Sequence, residues 1–241
     1  MIQYDKVMKK VAFFFTLLLL GTSGAFALSN KYDLNDDGVV DVTDVIQLVN
    51  YILGKENETH VAVDLGLPSG TKWATCNVGA SKPEEYGGYY AWGETEEKEV
   101  YSQDAYMYYK NGEYVNLGSD ISGTKYDVAH VKWGGNWCMP TKDDIKELLD
   151  NCTSEWTTLN GVNGRKFTSN INGNSIFLPA AGYRWLGDLG YAGENGYYWS
   201  STQNPDYSDG AYYLYFYSGN ARWRYYLDRF SGQSVRPVVR N

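Results

Sequence analysis

Residues 33–44 of this 241-residue chain, DLNDDGVVDVTD, place oxygen-bearing side chains at positions 1, 3, 5, 9 and 12 of a twelve-residue loop. They are Asp33, Asn35, Asp37, Asp41 and Asp44, with Gly38 at position 6. Calcium takes about six to eight hard oxygen ligands at about 2.3–2.6 Å, and this spacing wraps a short loop around one ion. Gly38 permits the sharp turn. Val39 offers its backbone carbonyl at position 7, and Val40 anchors the loop against a core. The expected metal ligands are therefore Asp33, Asn35, Asp37, Val39, Asp41 and Asp44, and the expected ion is calcium.

The next residues must position that loop. Val45, Leu48, Val49 and Ile52 recur at i, i+3, i+4 and i+7, an amphipathic helix that Gly54 ends. Asp44 also places a negative charge in the first helical turn, where the helix dipole favours it. Only residues 28–32 are available as a helix before the loop. A calcium loop followed by one helix, "DLNDDGVVDVTD" plus "VIQLVNYILG", resembles the half-module of bacterial dockerins. The family carries two copies and this chain carries one. The resemblance implies a cohesin-like partner, with Val42 and Thr43 at the partner-reading positions.

Catalytic constellations are sparse. The chain's two histidines, His60 and His130, are far apart, and His60 falls at the linker. A Ser–His–Asp arrangement needs a base aimed at a nucleophile, whereas Ser200 and Ser201 of "YWSST" sit in an expected core strand. Glu84, Glu85, Glu94, Asp206 and Asp209 supply carboxylates for a glycosidase pair, but acids this frequent supply them by chance. No glycine-rich phosphate loop precedes a helix. No catalytic residue is assigned, and the expectation is a protein that is not an enzyme.

Binding is better represented. Residues 183–229 concentrate Tyr, Trp, Asn, Asp and Arg between turn signals. Trp185, Tyr191, Tyr207, Trp223, Tyr225 and Tyr226 are large rigid surfaces, and Arg184, Arg222 and Arg224 are forked donors. Such side chains bury area at low entropic cost and suit recognition. The expected ligand-binding set is Arg184, Trp185, Tyr207, Arg222, Trp223, Arg224, Tyr225 and Tyr226. In "AYYLYFY" (211–217), Tyr213, Tyr215 and Tyr217 oppose Tyr212, Leu214 and Phe216 across a strand. Which face meets water stays open at this point.

The compartment is read from the N-terminus. Lys6, Lys9 and Lys10 precede an apolar run over 11–20, and small residues lead to Ala25-Phe26-Ala27, the pattern of a secretory signal peptide over 1–27. The run is too short to anchor the protein across a bilayer, which needs about 20 apolar residues. Residues 1–27 hold three Lys and one Asp, so their removal takes the net charge from −8 to −10. Half of that lies in residues 28–59, and nothing resembles the basic face nucleic acid requires. Cys76, Cys138 and Cys152 imply one disulfide and one leftover thiol in an oxidising compartment.

The organisation expected is a signal peptide over 1–27, a calcium loop–helix module over 28–54, a polar linker over 55–59 and one domain over 60–241. The domain is dense in Gly and Tyr, with short β-branched and aromatic bursts between turns. Expected strands are 61–65, 72–78, 88–92, 165–168, 175–178, 197–200, 211–217, 222–227 and 234–239. One helix is capped by Thr141, with Asp144 as capping-box partner and Ile145, Leu148 and Leu149 as its buried stripe. Asn163-Gly164 and Asn172-Gly173 read as hairpin turns, and 98–124 as a long surface excursion.

The phrases "DLGLPSGTKWATCNVGA", "EEYGGYYAWGE", "YDVAHVKWGGNWCMPT", "NGNSIFLPAAGYR", "GYYWSST" and "SVRPV" together resemble the Fibrobacter succinogenes major paralogous domain. That family is common in secreted proteins of gut Bacteroidetes. The likeness runs from about residue 63 to 240. It implies an α+β, C-type-lectin-like domain whose first strand, 61–65, pairs with its last, 234–239. It also implies a Cys76–Cys152 disulfide, leaving Cys138, where the family more often has arginine. Related formylglycine-generating enzymes use a pair of active cysteines, and none stands out near this chain's end. The function implied is recognition of a glycan or surface protein by a secreted or cell-surface protein. The alternative is an enzyme or enzyme-associated subunit of a polysaccharide-degrading assembly.

Overall fold

Alternating bursts of aromatic and β-branched residues, cut by glycine turns, fold into antiparallel sheets with few helices. The computed structural model describes residues 60–240. The expected signal peptide, the expected calcium ligands Asp33, Asn35, Asp37, Val39, Asp41 and Asp44, and the expected linker lie outside them. Residues His60–Asn241 form a compact unit. Its strands are β1 (Ala62–Val63), β2 (Lys72–Ala74), β3 (Tyr109–Lys110), β4 (Glu113–Tyr114), β5 (Trp137–Cys138), β6 (Cys152–Leu159) and β7 (Val162–Ser169). There follow β8 (Ser175–Pro179), β9 (Tyr183–Trp185), β10 (Asp188–Gly190), β11 (Gly196–Gln203), β12 (Ala211–Tyr217), β13 (Asn220–Arg224) and β14 (Val238–Val239). The helices are α1 (Val128–Trp133) and α2 (Lys142–Asn151).

The first and last strands of the domain meet through β2. The sheet order is β1-β2-β14-β5, so the last strand pairs with β2 and β5, not with β1 as expected. The physical reason is local. The chain folds back through residues 64–71, so β1 pairs with β2 as a sequential neighbour, Ala62 opposite Ala74. Only β2's other edge is then open to β14.

Two three-stranded sheets carry most of the structure, β6-β7-β8 and β11-β12-β13. The turn between β6 and β7 is Asn160-Gly161, both with positive φ (49° and 84°), as a type I′ hairpin requires. Asn163 and Gly164, expected there, lie inside β7. α2 forms as expected. Thr141 accepts from the Asp144 amide at 3.1 Å and its own amide donates to the Asp144 carboxylate at 2.7 Å, closing the capping box. Its Ile145 and Leu148 enter an apolar cluster with Leu65, Phe167, Leu178, Leu214 and Phe216.

The other face of β12 enters a second cluster, with Tyr213, Trp199, Trp92, Val78 and Ile121 buried together. β12 is therefore covered on both faces along its first half. Only Tyr217, at its end, is openly exposed on the odd face.

Three further expectations are corrected. Residues 98–124 do not run over the surface: Tyr101 and Tyr106 are 0% and 2% exposed and donate to the carbonyls of Tyr89 and Trp92. His60, read from sequence as falling at the linker, packs against the domain, its ring centroid stacked 3.5 Å from that of Trp133. No disulfide joins Cys76 to Cys152; Cys76, Cys138 and Cys152 are buried thiols. Cys152 sits in the apolar cluster of α2 and Phe167, whereas Cys76 lies outside it, close enough to the buried Arg236 to feel its charge. The two sulfurs are packed into different surroundings.

Candidate functional site

The register of the β11-β12-β13 sheet decides which predicted residues can act together. Directly opposed residues in antiparallel strands share a face. Tyr197, Tyr215 and Arg222 form one row, and Trp199, Tyr213 and Arg224 the next, on one face. Tyr198, Leu214 and Trp223 form a row on the opposite face. Trp223 thus points away from Arg222 and Arg224 and packs near Tyr212, ring centroids 5.9 Å apart. The predicted run 222–226 is split by the pleat.

On the Arg224 face the sheet borders a cavity of about 520 Å³. Tyr207, Asp209, Tyr213, Arg224, Tyr225 and Tyr226 line it. Four of the eight predicted residues, Tyr207, Arg224, Tyr225 and Tyr226, therefore meet at one place. Tyr207 and Tyr225 present open ring surface, 52% and 57% exposed. Arg184 and Trp185 lie on β9: the Arg184 guanidinium stands 5.2 Å from the Tyr89 ring, and Trp185 packs edge-on against Phe230.

The cavity wall is held by a loop, residues 204–210. Asn204 donates its amide to the Tyr225 carbonyl at 2.5 Å and accepts from the Asp206 amide at 2.9 Å. The buried Arg229 donates to the Ser208 carbonyl at 3.0 Å from beneath. Asp209 and Asp228 both approach the Tyr226 hydroxyl, at 3.1 and 2.9 Å. One phenol proton serves one acceptor at a time, so three oxygens share too few protons at this edge. Burial raises the Tyr226 pKa and the neighbouring carboxylates raise it further. Burial also raises the Asp228 carboxyl, with the Asp209 charge acting in the same direction. Burial pushes Tyr213 up to about 12, partly offset by Arg224.

Asp209 was weighed from sequence only as a carboxylate, and Tyr213 only as one of two strand faces. Tyr215 enters the sequence reading in the same way as Tyr213, and Tyr183 and Tyr197 only as members of longer segments. Their rings continue from the cavity as a contiguous band: Tyr213–Tyr197 at 6.0 Å, Tyr197–Tyr215 at 5.1 Å, Tyr197–Tyr183 at 4.8 Å and Tyr183–Tyr191 at 6.1 Å. The signal for them was the period-2 alternation of β11 against β12, which needs the strand register to become a surface.

Elsewhere the chemistry is structural. Ser200 donates to the Tyr212 carbonyl at 2.8 Å and Ser201 is fully buried. A second cavity, about 420 Å³, lies beside β6–β8 and is lined mainly by Thr, Ser and apolar side chains, with Lys166 its charged group. It lacks the convergence of aromatic, cationic and acidic groups seen at Tyr207–Tyr226. Among the described residues no helix is long and apolar enough to cross a membrane.

Comparison with known families gives one match: a domain of unknown function (DUF8237) aligns with residues 150–238. That stretch contains every residue lining the larger cavity. No curated protein and no solved structure matches the chain.

Proposed function

We propose that this is a secreted, non-catalytic recognition protein. A C-type-lectin-like domain of the Fibrobacter succinogenes major paralogous type binds a glycan, free or carried on a surface protein, and a single dockerin-like segment before it binds calcium. The observation that carries the reading is the cavity in which Tyr207 and Tyr225 expose flat ring surface beside Arg224 and Asp209. Apolar walls with a few convergent polar groups are what a small-ligand site needs, and aromatic faces stack on sugar rings. The antiparallel, helix-poor architecture, with the first and last strands in one sheet, is consistent with the lectin-like assignment. The secretory signal at 1–27 supports an extracellular or cell-surface location. The polysaccharide-degrading alternative has less support, because it rests only on the dockerin likeness.

A glycan array probed with residues 28–241 tests the domain. Tyr225→Ala is expected to lower binding at least about tenfold with an unchanged circular dichroism spectrum, the order of a hot-spot loss above 1 kcal/mol. Trp223→Ala, on the opposite face, is expected to leave binding within about twofold. Equal binding by wild type and Tyr225→Ala would remove this site. The calcium segment has its own test. Five acids in 33–44 repel one another without a cation, so a 28–54 peptide should gain helical signal on adding calcium. Spectra identical with the ion and with chelator would end that assignment.

A further inference from the structure

The charge of the chain's last thirty or so residues runs against the whole. Residues 211–240 hold five arginines and one acid, Asp228, in a chain of net charge −8. Three of those arginines have evident work. Arg229 is buried, donating to the Tyr106 hydroxyl and the Ser208 and Val115 carbonyls, with its guanidinium 4.7 Å from the Trp92 ring. Arg236 is buried against Asn77 and the carbonyls of Ala74 and Thr75. Arg240 pairs with Asp144.

Arg222 and Arg224 have no such role. They are two residues apart on β13, share a face, and stand 5.7 and 5.5 Å from the centroid of one ring, Tyr215. Among the described residues neither guanidinium makes a hydrogen bond or an ion pair. Arg224 lines the larger cavity, whose acid, Asp209, accepts from the Tyr226 hydroxyl. Two positive charges on one ring, with no acid between them, set up a local positive potential on an acidic molecule. At physiological salt the screening length is about 8 Å, so this pair governs what an approaching group feels there.

We propose that Arg222 and Arg224 form a seat for the anionic substituent, carboxylate or sulfate, of an acidic saccharide whose ring packs in the adjoining cavity on Tyr207 and Tyr225. This rests on the glycan reading above. The guanidinium fork matches a planar or tetrahedral oxyanion with two parallel donors. Cation–π contact with the Tyr215 ring restrains both forks before the ligand arrives, which reduces the entropy lost on binding. Tyr215 is thereby a positioning residue, acting through the two arginines.

Titration calorimetry of the secreted protein with matched neutral, uronic-acid-bearing and sulfated oligosaccharides tests the seat. One acidic set is expected to bind at least tenfold more tightly than the neutral set, and the better of the two names the anion. The double variant R222Q/R224Q should bind the acidic and neutral sets alike, with an unchanged melting temperature. Raising sodium chloride from 50 to 500 mM should erode the acidic preference in the wild type only. If neutral and acidic sets bind alike, or if R222Q/R224Q keeps the preference, the seat is overturned and the glycan reading stands. If no set binds the wild type, the glycan reading falls and takes the seat with it.

Discussion

At the residue scale, the least comfortable group is Asp228, which meets the Tyr226 phenol while Asp209 approaches the same oxygen. Its folded pKa is raised, first by burial and then by Asp209. A carboxyl whose folded pKa exceeds its unfolded value, about 3.9, binds an extra proton in the native state. Stability from that group is therefore present at low pH and lost as pH rises from about 4 through the folded pKa. Asp228→Asn keeps an acceptor for the phenol and removes the titration. The expected outcome is a melting temperature that falls less than wild type's between pH 4 and 7, and stability at pH 7 equal to or above wild type's. Parallel pH profiles for the two proteins would contradict it. Which residues face the cavity was partly legible: Tyr207, Arg224, Tyr225 and Tyr226 were identified by type alone. Trp223 was misplaced because residue type carries no information about which side of a pleat it occupies.

At the element scale, legibility followed periodicity and caps. α2 was readable because Thr141 and Asp144 announce its start and Ile145 and Leu148 mark its stripe. β8, β11 and β12 were readable from apolar and aromatic bursts. β6 was missed because its sequence, "CTSEWTTL", is mostly polar and owes its strand form to pairing with β7 along its whole length. α1 was missed because six residues are too few to show a period. It is held by the Asp127 carboxylate, which accepts the amides of Ala129 and His130 at its start and those of Gly123 and Met139 beside it. The segment 98–124 deceived for a different reason: its tyrosines look polar, yet their hydroxyls find backbone carbonyls and their rings fill the core. The β9–β10 hairpin depends on one glycine. Gly182 has φ of 66°, and a Cβ there would lie 2.1 Å from the Gly190 carbonyl oxygen and 2.7 Å from the Ala192 amide. Left-handed backbone costs a non-glycine residue about 1–2 kcal/mol, and the clash with backbone adds to it. Gly182→Ala should destabilise the domain by more than about 2 kcal/mol in urea unfolding, and a loss under about 0.5 kcal/mol would show the hairpin to be slack.

At the scale of the whole domain, the question is what makes a chain with so many short strands fold as one unit. The answer is its closing segment. β14 occupies an interior position, with Val238 opposite Trp73 on one side and Cys138 on the other. Arg236 is fully buried without a carboxylate partner, and desolvation lowers its pKa to about 10. Its guanidinium instead satisfies the Asn77 side chain at 2.8 Å and the carbonyls of Ala74, which ends β2, and Thr75, which follows it, at 3.1 and 2.7 Å. Arg240 then ties the chain end to Asp144, the residue that completes the α2 capping box, and to Ser122 at 3.1 Å. These contacts join residues more than 95 positions apart, so they form only once the domain has closed on itself, and closure entropy must be met before they contribute. A chain ending at residue 231 would leave two buried acceptors, the Asn77 side chain and the Ala74 carbonyl, without their donor, each costing about 1–3 kcal/mol. It would also remove the strand between β2 and β5. Total stability of a single domain is about 5–15 kcal/mol, so that loss is comparable to the whole. The truncated protein should retain secondary-structure signal but show no cooperative thermal transition in near-ultraviolet circular dichroism. A sigmoidal melt within a few degrees of the full chain would mean that the β6-β7-β8 and β11-β12-β13 sheets, with α2 between them and the rest, fold without the closing strand.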